Sequence, residues 1–368
     1  MPFADQLISS HTAESLTRAI RAAAPGVPLP GLTAAASRLG PLSLRERADL
    51  LRDALLSDLP GDYAGLAEVV RAARAEAPGF GGWMIWPVTS ALAAKAVDDG
   101  STAAFDDAMA MMAELTGLLT AEFAIRTLLR HDLDRALAIV RDWTGSDEPD
   151  VRRLASEGTR PYLPWSIRVP EIVARPGVTV PILDALYRDD SEYVRRSVAN
   201  HLNDLSRDHP ELVAGTAGRW LGDPAPTTER LVRHSLRTLI KKGDPNALAL
   251  MGFAADPSTL EVDGPILDRA VVPIGGSVTF RATVRNRGPA AARLAIDYLV
   301  YHRKANGTRT AKTFKLTTAT LKPGETLEVR REHSFRLITT RRYHPGPHAI
   351  ALQVNGRASE RAELELTP

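Results

Sequence analysis

From the N-terminus to about residue 250, apolar residues recur every three or four positions in Ala-, Leu- and Arg-rich runs cut by Gly and Pro. That period predicts a succession of amphipathic helices. After Gly252 the texture changes. The runs SVTFRATV, ARLAIDYLVYH, TLEVRREHSF and HAIALQV alternate or cluster β-branched and aromatic residues, and turns are expected at Asn286–Pro289, Asn306-Gly307 and Lys322-Pro323-Gly324. Such spacing predicts an all-β sandwich of about 110 residues. The segment Gly252–Leu260 marks the expected boundary, dividing the chain into a helical domain, 1–255, and a β domain, 258–368.

The helical part repeats. An apolar residue followed by two cations occurs at Val151 (DEPDVRRLASEG), Val194 (DSEYVRRSVANHL) and Val232 (TTERLVRHSLRTL), with a weaker copy at Ile125 (AEFAIRTLLR). Spacings of 43 and 38 residues suit helix pairs of the HEAT type, although the first spacing is only 26. Each helix would bury one face on its neighbours, and the stack would curve into a solenoid with a concave surface. The expected fold class is therefore multidomain α + β: an α-helical HEAT-like repeat solenoid followed by an all-β sandwich.

Residues at i, i+4 and i+7 share a helix face. Val151, Leu154, Ala155 and Gly158 form an apolar stripe, and Arg153, Glu157 and Arg160 a polar one. The next copy sets Val194, Val198, His201, Leu202 and Leu205 against Arg196, Asn200 and Asp204. The weak copy offers Glu122, Arg126 and Arg130, and the last offers His234, Arg237, Thr238 and Lys241. Taken singly, such stripes are common on solvated helices, where an i,i+4 pair contributes about 0.2–0.5 kcal/mol. Stacked repeats, however, would bring them into one groove whose arginines track a phosphate backbone. Carboxylates there oppose an anion, so Glu122, Glu157 and Asp204 need another reason to be present. Chemistry at a cationic centre is such a reason. Trp165 lies in RPYLPWSIRVP, which Pro161, Pro164 and Pro170 hold off the helical path. It either offers its face to a cation, at roughly 0.5–2 kcal/mol, or packs as a local core. Trp83, Trp86, Trp143 and Trp220 are expected in the core.

Charge sharpens the division. Residues 258–368 hold 18 Lys and Arg against 10 Asp and Glu, a balance of +8 that leaves −6 for residues 1–257 in a chain of net +2. A basic module on an acidic body points to a polyanion, although Lys and Arg on edge strands also prevent unwanted pairing. Its cations concentrate in His302–Lys315, with Arg303, Lys304, Arg309, Lys312 and Lys315, and in Arg336–His344, with Arg336, Arg341 and Arg342. The chain has no cysteine, which excludes disulfides, thiolate metal sites and cysteine nucleophiles. Neither a secretory signal nor a spanning segment is visible, since the most apolar window, Met84–Val97, is broken by Pro87 and Lys95. A cytoplasmic monomer without membrane contact is expected. Among residues 1–257 the lysines are Lys95, Lys241 and Lys242. The Pro28–Leu39 segment faintly suggests a phosphate-gripping hairpin, but reads as a turn before a helix.

The motifs GGWMIWPVT, EFAIRTLL, EPDVRRLASEGTRPYLPW and YVRRSVANHLNDLSRDHPELV, followed by a β-sandwich, resemble the AlkC group of DNA-alkylation-repair glycosylases, HEAT-like repeat proteins related to the AlkD glycosylases. The resemblance covers nearly the whole chain. It implies an immunoglobulin-like C-terminal domain and excision of N3-alkylated bases, 3-methyladenine and 3-methylcytosine, from double-stranded DNA without full base flipping. It places Glu122, Glu157, Trp165 and Asp204 in the active site. The helix stripes and the basic module, read on their own, put Arg153, Arg160, Arg196, Arg237, Lys241, Arg303, Lys304, Arg309, Lys312, Arg341 and Arg342 against DNA. The resemblance implies no cofactor and no metal, and the nine histidines show no ligand spacing. With no lysine near the carboxylates to form a Schiff base, a monofunctional enzyme is expected. Two rival readings remain open: a non-catalytic HEAT scaffold for a protein partner, and a binder of bent or damaged DNA that does not turn over.

Overall fold

A computed structural model of the chain describes residues 4–59, 61–253, 257–338 and 341–368. It divides into two compact units, Met1–His209 with Trp220–Ser235, and Pro210–Arg219 with Leu236–Pro368. Within the expected boundary segment, residues 254–256 lie outside the described residues.

The first unit is helical, and its repeats pack as successive layers. Ile85–Asp99 lies on Thr102–Thr116, Pro149–Glu157 on Glu192–Leu205, and Glu192–Leu205 in turn on Thr228–Ser235. The apolar stripes read from the sequence are the buried faces: Val151, Leu154 and Ala155 of one helix and Val194, Val198, Leu202 and Leu205 of the next are all buried. Gly158 packs against a different neighbour, the helix Ile125–His131, because a Cβ there would lie 2.8 Å from Ile125 Cγ2. The first arginine of each Arg-Arg pair serves the architecture. Arg152 Nη1 donates to the carbonyls of Ser146 (2.8 Å) and Asp147 (2.9 Å), and Arg195 Nη1 to those of Asp189 and Asp190 (2.8 Å to the latter). Each thus staples the turn preceding its own helix. Pro30 opens the helix Pro30–Arg38, whose first amides are capped by Asp58, with Gly31 N at 2.9 Å and Leu32 N at 2.8 Å. A carboxylate already occupies the place where the faint hairpin motif would grip phosphate.

The second unit contains the β-sandwich. Its strands are β1 (Leu260–Leu267), β2 (Val271–Pro273), β3 (Ser277–Asn286), β4 (Ala292–Arg303), β5 (Arg309–Leu321), β6 (Thr326–Ser334), β7 (Gly346–Val354), β8 (Arg357–Ala358) and β9 (Ala362–Thr367). One sheet runs β1-β3-β6; the other runs β2-β9-β7-β4-β5, with β8 beside β7. Alternation is clean on β3, which buries Val278, Phe280, Ala282 and Val284 and turns Arg281 and Arg285 outward. The interior β4 is buried along most of its length, as expected of a strand covered on both faces. The expected turns at Asn286–Pro289, Asn306-Gly307 and Lys322–Gly324 all join consecutive strands. The β4–β5 hairpin pairs Arg303 with Arg309 across the turn, where Gly307 supplies the positive φ of +80°. Strand β5 is an edge of its sheet.

Candidate active site

Three carboxylates and two guanidiniums converge in the helical unit. Glu157 ends the helix Pro149–Glu157, Asp204 lies one residue before the end of Glu192–Leu205, and both are buried. Glu122, also buried, sits in the turn before Ile125–His131 rather than on that helix. The i,i+4 rule therefore does not relate it to Arg126 and Arg130, and the expected Glu122–Arg126–Arg130 stripe does not form. Arg126 turns inward and Arg130 is exposed. The last expected stripe is also broken, because the helix stops at Ser235 and another begins at Arg237.

The arginines tie the carboxylates into one chain of bonds. Arg153 Nη1 donates to Glu122 Oε2 at 2.5 Å, and its Nη2 lies 3.7 Å from Glu157 Oε1. Arg160 Nη1 donates to Glu157 Oε1 at 2.6 Å and its Nε to Asp204 Oδ2 at 2.9 Å. Hydroxyls complete the set: Thr120 donates to Glu122 Oε2 at 2.8 Å and Ser197 to Glu157 Oε2 at 2.6 Å. Asp204 Oδ1 receives no hydrogen bond from a described residue. With all five groups ionised the bonded set carries one excess negative charge, and the Arg126 and Arg207 guanidiniums act on Asp204 from outside it. Burial pushes the Asp204 carboxyl above its ordinary range, against the pull of Arg160. Arg160 moves toward its charged form, because Glu157 and Asp204 together outweigh the burial that opposes it. Asp204 is thus raised by its burial first and by the charge of Glu157 last, with the Arg160 and Arg207 guanidiniums pulling the other way.

Two aromatic side chains on the segments that carry these residues are exposed, Trp165 beyond Arg160 in the chain and Tyr193 on the helix of Asp204. Trp165 is 44 % exposed on the extended segment after Pro164 and adopts φ of +60°, a left-handed conformation costly for a bulky residue. The local-core alternative for Trp165 is thereby set aside. Tyr193, 46 % exposed, carries the Arg153 guanidinium 4.9 Å from its ring centroid. Trp86, Trp143 and Trp220 are buried and Trp83 is half-buried. Trp86 stacks on Phe123 with ring centroids 4.0 Å apart, fixing the turn that holds Glu122. His201 is buried between Ser156 O (2.9 Å) and Thr179 Oγ1 (3.1 Å), and burial lowers its pKa to about 3, so it is a neutral strut.

Of the cations expected against DNA, Arg153 and Arg160 direct their donors to carboxylates, while Arg196 is exposed beside Glu192. In the second unit Lys241 is exposed and Arg237 half-buried. On the sandwich, Lys304, Lys312, Lys315, Arg336 and Arg342 are exposed. Arg309 pairs with Glu363, Arg303 donates to Pro345 O at 2.7 Å, and Arg341 lies 2.5 Å from His302 Nε2. Thr120, Ser197 and Tyr193 were not singled out by the sequence, since a hydroxyl or a tyrosine carries no spacing signal of its own. No group of three His, Asp or Glu placed to hold a metal occurs among the described residues.

Fold and site together define a helical-repeat protein with an all-β C-terminal module and a buried acidic cluster in its repeats. Residues 261–368 match the family described as the C-terminal Ig-like domain of uncharacterised protein YhaZ. The chain is 34% identical over 325 residues, 88% of both chains, to the uncharacterized protein YhaZ of Bacillus subtilis (strain 168). It is also similar over 100% of both chains, at 35% identity and a TM-score of 0.86, to the solved alkylpurine DNA glycosylase AlkC of Pseudomonas fluorescens, bound to DNA containing an abasic site analog. The chain belongs to the AlkC family.

Proposed function

We propose that this protein is a monofunctional DNA glycosylase that releases cationic N3-alkylated bases, 3-methyladenine and 3-methylcytosine, from double-stranded DNA by hydrolysis in the cytoplasm. The observation that carries this reading is the buried cluster in which three carboxylates, Glu122, Glu157 and Asp204, converge on the two guanidiniums of Arg153 and Arg160. An N3-methylated base already bears positive charge and leaves readily. As the C1′–N bond breaks, its electron pair goes to the base, which departs neutral, and the positive charge moves to the sugar as an oxocarbenium ion. Carboxylates fixed beside that centre favour the transition state over the ground state in water. Water then adds to C1′ through its oxygen and its proton passes to a carboxylate, a step for which Asp204 Oδ1 is suited; general-base help of this kind is worth about 10²–10⁴-fold. The exposed Trp165 indole supplies a face for the sugar or the cationic base. Arg153 and Arg160 hold the carboxylates in place, and guanidines make no Schiff base.

In this reading residues 1–255 form the glycosylase domain and 258–368 a DNA clamp. Arg196, Arg237, Lys241, Arg303, Lys304, Arg309, Lys312, Arg341 and Arg342 contribute cationic charge toward phosphates. The test incubates methylated duplex DNA with the full-length protein in EDTA and separates released bases by chromatography. Free 3-methyladenine with intact strands is expected. Binding without base release favours a non-catalytic binder, and a borohydride-trapped adduct overturns the monofunctional assignment.

A further inference from the structure

Among the described residues Arg126 is the largest fully buried side chain, at 0 % exposure, and it bonds no carboxylate there. Its guanidinium is aimed at main-chain carbonyls on both ends of one loop. Nη1 donates to Gly158 O (3.0 Å) and Arg160 O (2.7 Å), where the chain leaves the helix that ends in Glu157. Nε donates to Ile167 O at 2.6 Å, two residues beyond Trp165. The segment so bracketed carries Arg160, the partner of Glu157 and Asp204, and holds Trp165 in its left-handed conformation with the indole exposed. A strained, solvent-facing residue keeps one conformation only when its surroundings over-determine it. Three hydrogen bonds from one rigid planar group to both flanks provide that constraint.

Stability alone does not account for this arginine. Burial draws its pKa down to about 10, and Nη2 has no hydrogen-bond partner among the described residues. A buried charge of this kind is a costly filler, and an apolar side chain of similar volume packs without the desolvation.

We propose that Arg126 is a positioning residue for the excision reaction: it sets the 158–167 loop so that Trp165 and Arg160 meet the substrate and the carboxylates in register. This rests on the glycosylase reading above for the reaction, while the loop geometry stands apart from it. Arginine is required rather than any cation, because a lysine ammonium is a point charge that lacks the planar fork reaching carbonyls on both sides.

The test uses full-length Arg126→Lys and Arg126→Met, each alone and combined with Trp165→Ala and with Trp165→Phe. Fluorescence of each variant minus that of its Trp165→Phe counterpart isolates Trp165, and acrylamide quenching of this difference reads the loop without any need for activity. Quenching should change in both Arg126 variants. On duplex DNA containing 3-methyladenine, single-turnover excision should fall about tenfold to a hundredfold, as a misplacement of about 1 Å produces. Binding to DNA with an abasic-site analogue should change less than threefold. The loss should shrink to at most about a third of its fold value when Trp165 is already alanine, because much of the effect passes through that residue. Unchanged quenching overturns the proposal, as does Arg126→Lys with wild-type excision. Losses that multiply independently of Trp165 and track a lowered melting temperature overturn it too, marking Arg126 as a stabiliser only. If Arg126→Met does not fold, Arg126→Lys, which keeps the charge, decides. Absent excision by the wild type sinks the glycosylase reading and leaves the quenching result to decide the loop.

Discussion

At the residue scale Arg153 and Arg160 hold three carboxylates in one bonded set, so that a change at one of them reaches the others through a shared guanidinium. Glu122, Glu157 and Asp204 stood out as negative charges among cations, and the structure brings them together through Arg153 and Arg160. In the sequence Arg126 falls in a polar stripe, because a polar residue four positions from another looks the same whether it faces water or a cage of carbonyls. Only the fold reveals that Gly158, Arg160 and Ile167 arrive around it. Asp204 gives the residue-scale prediction. Its carboxyl is raised by burial, so as pH falls it takes up a proton earlier than an ordinary aspartate, near 3.9, would. If the ionised form accepts the proton of water, excision falls with pH through that raised value. The acid limb of the single-turnover rate should therefore lie above the usual carboxylate range. Asp204→Asn should lower the rate at neutral pH about a hundredfold or more and abolish that limb. Its affinity for abasic-analogue DNA should hold or rise, because a negative charge facing phosphates is gone. A weakened affinity with an unchanged rate per bound complex sinks the catalytic role.

At the scale of elements, helices and strands followed the sequence period closely, because burial on one face dictates it in both units. Repeats written alike did not fold alike. Copies at Val151 and Val194 became full helices that pack together, whereas the weak copy starts its helix only at Ile125 and the last breaks at Leu236. A motif fixes which face is apolar, but the neighbouring layer decides where a helix begins. Gly158 shows that influence. It closes the helix of Glu157 against Ile125, where a Cβ would stand 2.8 Å from Ile125 Cγ2 and 3.0 Å from Leu154 O. Its φ of −63° is one any residue adopts, so the demand is for space and not for conformation. Gly158→Ala should destabilise the protein by about 1–3 kcal/mol through overpacking. Excision should fall as well, because the displaced carbonyl is one that Arg126 holds. Denaturant melts alongside excision assays read both, and a melt and a rate equal to wild type would show that the two helices separate freely.

At the scale of the whole molecule the chain's charge asymmetry becomes a statement about affinity. The basic β4–β5 hairpin follows from the sequence pattern, and its turn falls at Asn306-Gly307. What composition left undecided is whether its cations meet DNA or guard an edge, and β5 is an edge strand. Deleting the sandwich is a blunt way to decide. Within the second unit Arg293, Gln353 and Asn355 donate to the carbonyls of Met251 (3.0 Å), Lys241 (2.6 Å) and Phe253 (2.9 Å), so a cut at residue 258 strips partners from the segment before it. Neutralising charges on the intact chain is cleaner. Lys304, Lys312, Lys315 and Arg342 are exposed and can be changed to Gln together; Arg281, Arg285, Arg330 and Arg331, exposed on the β1-β3-β6 sheet, form a control with the same loss of charge. Each phosphate contact removed should make the dependence of log affinity on log salt shallower by about 0.9. For a clamp, the first variant loses slope between low and physiological salt and the control retains it. Excision by the first variant should then fall mainly at the higher salt, where fewer contacts remain to hold the complex. Equal slopes in the two variants, with aggregation appearing only in the first, would assign the hairpin's cations Lys304, Lys312 and Lys315 to edge protection instead.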